Sequence, residues 1–281
     1  MKKLKNESME KKFNTGETPM DLKKEYNPEG SLLRQVQLRL LDMMIYLDDV
    51  CKEIGVSYRI DSGNVLGAIR HGGFIPWDDD VDVVVENRHD YNRLIKYLET
   101  HPHPNYVIQN EFTDKGHNKF WSVLRDKNSE YIHKNREEDI IDRVQQYRGL
   151  QVDIFLYECT IPFLKRVSAF IHKKYSNMFL VNHISIYRFC FSVQKNIIHP
   201  IFRLFSYILG NKKMLSHSYG TVWLRYTDVR VLMPHKPILF EGHFFPGPAD
   251  PIAYLESAYG DWRDLPEKKD RAKHNVKYIL K

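Results

Sequence analysis

The segment 78–85 alternates aspartate with valine, and this alternation limits the fold more than any other feature of the chain. Successive side chains of a β-strand point to opposite faces, so the pattern predicts a strand with one buried apolar face and one face of carboxylates. The carboxylate face would carry Asp78, Asp80 and Asp82. Because Asp78 stands at the start of the strand and Asp79 points the other way, we expect those two to be structural or supporting.

Asp80 and Asp82 suggest a metal site. Residues two apart on a strand lie about 7 Å apart at their Cα atoms, so both carboxylates can converge on hard cations, which prefer oxygen ligands. Two ions about 3.5–4 Å apart are suited to phosphoryl transfer. A third carboxylate is usual, and Asp153 stands alone among apolar residues of a predicted strand, Leu150–Leu156, where an unpaired charge would be costly. We therefore expect Asp80, Asp82 and Asp153 to bind metal.

The other periodic segments predict an α+β fold. Apolar residues recur every three or four positions from Leu33 to Ile54, with Ser31 and Gly55 as capping residues, which predicts a long amphipathic helix. Shorter helices are predicted at 64–70 and 90–99, and further strands at 56–60, 119–125, 129–133 and 150–156.

The domain organisation follows from shifts in composition. Residues 1–29 mix charges of both signs with few apolar residues and are expected to form a flexible tail. Residues 30–281 would form one domain. From Ile161 the chain becomes apolar and aromatic, interleaved with basic residues and almost without acids, which predicts a helical insertion at about 161–215. The segment from Phe240 is rich in Pro, Gly and Tyr and is expected to be loop-rich.

Composition excludes several classes of protein. The chain has 281 residues, of which 42% are hydrophobic, so it can bury a sizeable core. Its three cysteines form no CxxC pair, which argues against a disulfide scaffold or a cysteine-rich zinc site and favours a reducing compartment. No signal peptide or spanning segment is readable, so we expect a cytoplasmic protein. The net charge of +6 indicates an anionic partner, but no nucleic-acid-binding motif is present.

The turn Ser62-Gly63-Asn64 would present backbone N–H groups at the start of a helix, where phosphate binds readily. Arg70 and His71 end that helix just before the acidic segment and would approach the same phosphates. A second interpretation is that these two residues only complement the helix dipole.

Taken together, residues 61–82 resemble the signature of the LicD family of phosphorylcholine transferases, which also includes fukutin-related phosphotransferases. The resemblance covers roughly residues 30–275, weakly from 161 to 240. Further matching positions are Cys51, Phe120–Asp126, Val152–Phe155, Tyr259–Asp261, Pro266 and His274. Two departures are Ser62-Gly63-Asn64, where the family usually has Gly-Gly-Thr, and a proline displaced to Pro162.

The resemblance implies a nucleotidyltransferase-like core, a mixed β-sheet flanked by helices. Asp80 and Asp82 would then bind Mg²⁺ or Mn²⁺, and Asp153 would be either a further ligand or the base. The expected substrate-binding residues are Ser62, Gly63, Asn64, Arg70, His71, Trp77, Arg125 and His274.

The implied reaction moves a phospho-alcohol group, most often phosphorylcholine, from a CDP-linked donor such as CDP-choline to a hydroxyl of a cell-surface glycan. Lipopolysaccharide, capsule and teichoic acid are candidate acceptors. A choline group would need an aromatic cage, because ring faces hold quaternary ammonium ions. Candidates for its walls are Trp77, Trp121, Tyr157 and Trp262.

Two other functions stay open. The same carboxylates would serve a nucleotidyltransferase that attaches the nucleotide itself to a small molecule or sugar. Alternatively, the acidic segment only holds a structural cation in a non-catalytic, membrane-peripheral protein. The basic segment 161–215 would contact the anionic inner face of the cytoplasmic membrane, where a lipid-linked acceptor is presented, or would form an ordinary helical subdomain with a solvated basic face.

Overall fold

The computed structural model describes residues 12–134, 143–180, 183–271 and 276–281. The strands are β1 (Arg59–Ile60), β2 (Asp82–Val85), β3 (Tyr106–Gln109), β4 (Ser122–Asp126), β5 (Ser129–His133), β6 (Gln151–Glu158), β7 (Met214–His217), β8 (Thr227–Asp228), β9 (Lys236–Phe240), β10 (His243–Gly247) and β11 (Val276–Leu280). The α-helices are α1 (Pro19–Tyr26), α2 (Leu32–Ile54), α3 (Ser62–His71), α4 (Arg88–Thr100), α5 (Pro162–Leu180), α6 (Ile184–Val193), α7 (His199–Leu209), α8 (Val229–Leu232) and α9 (Pro251–Tyr259).

The centre of the fold is a mixed sheet with the strand order β1-β2-β6-β4-β3, which β7 and β8 extend from β6. Strands β2 and β6 are parallel, and the other pairs in this sheet are antiparallel. Two further antiparallel pairs lie outside it: the hairpin of β9 with β10, and β5 with the distant strand β11. The mixed α+β architecture confirms that part of the prediction.

The long helix α2 forms as its pattern predicts. The Ser31 hydroxyl accepts a hydrogen bond from the Arg34 N–H at its start (3.2 Å), and Gly55 ends the helix in the left-handed conformation. Its apolar stripe, which includes Leu40, Met43 and Leu47, is fully buried in the main core. Helix α2 therefore supports the sheet.

The strand predicted over 78–85 is shorter than expected, since β2 begins only at Asp82. Residues 78–81 are irregular, yet burial still alternates through them, with Asp79 and Val81 buried and Asp78 and Asp80 partly exposed. Buried and partly exposed side chains thus alternate as predicted, although residues 78–81 do not form a strand.

Two expectations about the ends of the chain are wrong. The tail expected over 1–29 is ordered from Lys12, because α1 is capped by a reciprocal Thr18–Asp21 pair and Leu22 is fully buried. The segment after Phe240 is not loop-rich, since β10, α9 and β11 lie in it. Arg271 joins the two ends by an ion pair with Glu17.

Helices α5, α6 and α7, with a π-helical turn over Gln194–Ile198, occupy the segment predicted to be a helical insertion. They end at Leu209, and the chain returns to the sheet at Met214. Within the described ranges, no helix combines the length and the apolar character needed to cross a bilayer.

Replacing Leu22 by Ala tests whether α1 belongs to the core. We expect a loss of about 2–5 kcal/mol in the free energy of unfolding, measured with urea, because a fully buried side chain is truncated. Met20→Ala is the matched control, since Met20 lies on the same helix and is 62% exposed. It should change stability by no more than about 0.5 kcal/mol. Equally small effects for both variants would contradict the docking of α1.

Candidate active site

A cavity of about 560 Å³ lies beside the start of β2 and the N-terminus of α3. Four carboxylates face it, together with the turn that begins α3 and several aromatic and cationic side chains. The lining residues are Ser62, Gly63, Asn64, Asp78, Asp80, Asp82, Asp153, Phe155, His217, Trp223, Leu224, Arg225, Ala258 and Tyr259.

Asp82 and Asp153 stand directly opposite each other in the parallel register of β2 and β6. Neighbouring strands are about 4.8 Å apart, so the two carboxylates are close. Burial, followed by the charges of Asp153 and Asp80, raises the pKa of Asp82 well above its usual value. Asp153 receives hydrogen bonds from the Lys119 ammonium (3.1 Å) and the Trp121 indole N–H (3.0 Å). The site thus concentrates negative charge with only partial compensation.

Asn64 ties the acidic segment to the first turn of α3. Its Oδ1 accepts a hydrogen bond from the Asp82 N–H (2.7 Å), and its Nδ2 donates to the Asp80 carbonyl (3.1 Å). Gly63 allows a close approach there, because a Cβ at this position would lie 3.1 Å from Asp78 Oδ2. The turn and the acidic segment therefore form one unit.

Asp61, immediately before α3, is fully buried in a set of cationic and hydroxyl partners. The Arg59 guanidinium and the Tyr254 hydroxyl each donate to it at 2.5 Å, and Arg225 lies 3.6 Å away. Burial alone would raise the pKa of Asp61, but the charges of Arg59, His217 and Arg225 together lower it. Asp61 therefore stays ionised and holds these side chains beside the cavity.

Arg225 contributes a guanidinium group to the wall of the cavity. The Nη2 atom of Arg225 donates to the Tyr254 hydroxyl (2.8 Å) and to the Ser62 hydroxyl (3.3 Å). The Ser62 N–H donates to the same Tyr254 hydroxyl (3.1 Å), and Ser62 has a positive φ of 48°. The start of α3 and Arg225 are thereby fixed relative to each other, which places a guanidinium beside a helix N-terminus, where the helix dipole favours phosphate.

The structure brings six of the predicted site residues to this cavity. They are Ser62, Gly63, Asn64, Asp80, Asp82 and Asp153. Asp78 also faces the cavity, whereas Asp79 is buried and accepts a hydrogen bond from the Tyr278 hydroxyl (2.5 Å). The metal and substrate roles of the six residues stay predictions.

Four other predicted residues are not at the cavity. Arg70 donates to the carbonyls of Trp262 (2.8 Å) and Asp264 (3.0 Å), so the end of α3 faces the C-terminal segment. His71 accepts from Arg70, and burial lowers its pKa to about 3. Trp77 packs edge-on against Tyr26 in the core.

Arg125, the fourth of these residues, is buried in β4 and donates to Gln109 and to the Gly149 carbonyl, both at 2.8 Å. Its role is therefore to support the sheet. The last predicted site residue, His274, lies outside the described residues.

Sequence reasoning missed Arg225, His217, Trp223 and Tyr259 as cavity residues. Tyr259 lies within the matched Tyr259–Asp261 stretch, so a signal for it existed. Arg225 and Trp223 lie in an irregular segment that shows no periodicity. Only the fold brings them to the carboxylates.

An aromatic cluster borders the cavity. The ring centroids of Trp121, Phe155 and Trp223 lie 4.9–5.7 Å from one another. Of the four predicted cage residues, only Trp121 belongs to this cluster. Tyr157 is fully buried under the Arg59 guanidinium, and Trp77 and Trp262 are buried elsewhere.

The carboxylates fit a divalent cation that binds together with a phosphate ligand. Across the described parts of the chain, no three His, Cys, Asp or Glu side chains are arranged to hold an ion by themselves. Mg²⁺, however, is commonly held by one or two carboxylates and completes its shell with substrate phosphates and water. The buried repulsion between Asp82 and its acidic neighbours is what such a cation would relieve.

The chain belongs to the family described as "LicD/FKTN/FKRP, nucleotidyltransferase domain", whose model matches residues 55–204, just over half of the sequence. It is 26% identical to the lipopolysaccharide cholinephosphotransferase LicD of Haemophilus influenzae over 272 residues, 88% of this chain and 98% of that relative. It is also 41% identical over 69 residues to mouse ribitol 5-phosphate transferase FKRP, and 38% identical over 68 residues to the human protein. Those segments are 24% of this chain and 13% of either FKRP.

Asn64→Ala should lower the free energy of unfolding by about 1–3 kcal/mol, because it leaves the Asp82 N–H without its acceptor. Asn92→Ala, an exposed asparagine on α4, is the control and should change stability by no more than about 0.5 kcal/mol. Chemical denaturation measures both. Equal effects would show that Asn64 does not hold the acidic segment.

His217 should make the fold sensitive to acid. Burial, the largest influence, lowers its pKa from 6.5 to about 3 although Asp61 opposes the shift. Below about pH 6.5 the unfolded chain therefore binds a proton that the folded chain does not, and stability falls as the pH falls. In His217→Gln, the slope of unfolding free energy against pH between about pH 4 and 6 should be smaller by about 1.4 kcal/mol per unit. Near pH 8 the two slopes should agree, and unchanged slopes at acid pH would contradict the assignment.

Proposed function

We propose that this chain transfers a phospho-alcohol group, phosphorylcholine in the first instance, from a CDP-linked donor to a hydroxyl of a glycan. The observation that carries the proposal is the side-by-side placement of Asp82 and Asp153 on the wall of a cavity that also presents the N-terminus of α3. The Haemophilus influenzae relative supports it, because its name gives cholinephosphotransferase activity on lipopolysaccharide and the match spans almost all of that relative.

Mg²⁺ or Mn²⁺ held by carboxylates from the set Asp80, Asp82 and Asp153, together with the donor phosphates, would neutralise charge on the transferred phosphoryl group and the leaving nucleotide. The protein's own groups do the rest. The positive end of the α3 dipole and the Arg225 guanidinium bind and orient phosphate oxygens. Lys119 and Trp121 fix the Asp153 carboxylate by hydrogen bonds, so it does not need to reorganise during the reaction.

The aromatic cluster of Trp121, Phe155 and Trp223 supports choline as the passenger. A quaternary ammonium binds within about 6 Å of ring faces, and the cluster borders the acidic cavity. A cavity rich in carboxylates also favours a cationic head group over a neutral polyol.

The decisive assay incubates the protein with Mg²⁺, a glycan acceptor and a panel of CDP-alcohols, including CDP-choline and CDP-ribitol, and measures CMP release. Asp82→Asn should lower kcat about 10²–10³-fold, because it removes charge from the reacting centre. Its thermal midpoint in metal-free buffer should not fall, since a raised pKa means that ionised Asp82 disfavours the folded state near neutral pH.

Asp49→Asn, an exposed carboxylate on α2, is the matched control and should retain full turnover. Transfer of the nucleotide itself to the acceptor would overturn the proposal in favour of nucleotidyl transfer. Full activity in Asp82→Asn, or no turnover with any donor, would overturn the catalytic role of the carboxylates.

A further inference from the structure

Helix α7 has its polar face towards the protein and its apolar face towards solvent. On the inner face, His199 bonds to the Ser168 hydroxyl (2.9 Å), and the Ser206 hydroxyl bonds to that of Tyr219 (2.6 Å). On the same face, Arg203 donates to Glu158 (2.8 Å). A helix on the surface of a soluble domain normally buries its apolar stripe instead.

The outer face of α7 carries large apolar side chains at helical spacing. Leu204 is 59% exposed and Ile208 is 65% exposed. Helices α5 and α6 add further exposed aromatic and aliphatic residues. Together these side chains form what we call the apolar face: Phe163, Phe170, Ile186, Phe189, Ile197, Ile201, Leu204, Phe205, Tyr207, Ile208 and Leu209. Exposed apolar side chains in such number mark an interaction site.

The segment that carries the apolar face is basic and has no acidic residue of its own. Residues 159–227 contain ten Lys and Arg and no Asp or Glu, so the remainder of the chain carries a net charge of −4. The exposed cations of this segment are Arg166, Lys173, Lys174, Arg188, Lys212 and Lys213.

Two of these cations lie over rings of the apolar face. Lys174 Nζ is 5.0 Å from the centroid of the Phe170 ring, and Lys212 Nζ is 4.5 Å from that of Tyr207. Positive charges and apolar side chains are therefore mixed on one surface rather than separated.

We propose that the apolar face docks on the surface of an anionic lipid bilayer. Exposed aromatic and aliphatic side chains would enter the interface between head groups and acyl chains, and the lysines and arginines would pair with anionic head groups. The described helices do not span a bilayer, so the contact is peripheral. A second copy of this chain is a poor occupant, because two faces of the same positive sign would repel.

Part of the active-site cavity wall comes from the same acid-free segment of the chain. Trp223 and Leu224 line the cavity, belong to the same acid-free segment and are partly exposed themselves. Docking would therefore favour an acceptor held at the bilayer by a lipid. The docking itself does not rest on the proposed transferase function.

Flotation of the full chain with vesicles tests the proposal. Phosphatidylcholine vesicles containing phosphatidylglycerol should carry the protein, pure phosphatidylcholine vesicles should carry much less, and added salt should weaken binding. The double variant Leu204→Gln, Ile208→Gln should lower the partition coefficient at least about tenfold, because two apolar side chains are lost from the interface. Leu239→Gln with Phe244→Gln removes two exposed apolar side chains from β9 and β10 and should bind like the unaltered chain.

Circular dichroism should show the same helical content in both double variants, since all four side chains are exposed. No binding to anionic vesicles would overturn the proposal, as would unchanged binding by the α7 variant. Sedimentation gives a third outcome that would overturn it: a dimer that the α7 variant abolishes, without vesicle binding, would assign the face to a second copy of the chain.

Discussion

The parallel pairing of β2 and β6 places two carboxylates side by side, and like charges at that spacing repel. Several surrounding contacts hold them there. Val83 and Val85 are buried on the opposite face of β2, Asn64 holds the first residue of β2 against α3, and Lys119 and Trp121 fix Asp153 by hydrogen bonds. A fold that only maximised stability would place apolar or neutral side chains at these positions. Such a cluster marks a candidate functional site, and the proposed cation would relieve its repulsion.

Asp61 and Asp82 show how surroundings give one residue type two roles. Both are buried beside the same cavity, yet the pKa of Asp61 is lowered by Arg59, His217 and Arg225, whereas that of Asp82 is raised by burial, Asp153 and Asp80. The charge of Asp61 is already compensated by arginines of the protein, so its role is structural. Asp82 is surrounded by further carboxylates instead, and under the proposed function a cation bound together with the ligand would compensate their charge.

Local sequence patterns predicted the carboxylates and the turn at the centre of the site, but not Arg225 and Trp223 in its wall. The period-two alternation and the turn at Ser62 indicated six residues that line the cavity, because both patterns depend on neighbours in sequence. The positions of Arg70, which was predicted to bind substrate, and of Arg225, which was not predicted, depend on residues distant in sequence. Arg70 is held by carbonyls 192 and 194 residues away, and Arg225 reaches the cavity through Tyr254 and Asp61. Hydrophobic periodicity in the sequence cannot reveal contacts between such distant residues.

Helices α2 and α7 show what hydrophobic periodicity does and does not determine. Both carry apolar residues three and four apart, a spacing typical of helices. In α2 the stripe faces the core, while in α7 His199, Arg203 and Ser206 face inward and the stripe is exposed. The spacing of apolar residues indicates a helix. Which face of the helix is buried depends on the partners that its polar residues find in the fold. Because the inward polar contacts of α7 are satisfied within the protein, its apolar stripe is free to bind something else, and the acid-free, basic surface beside it favours an anionic bilayer.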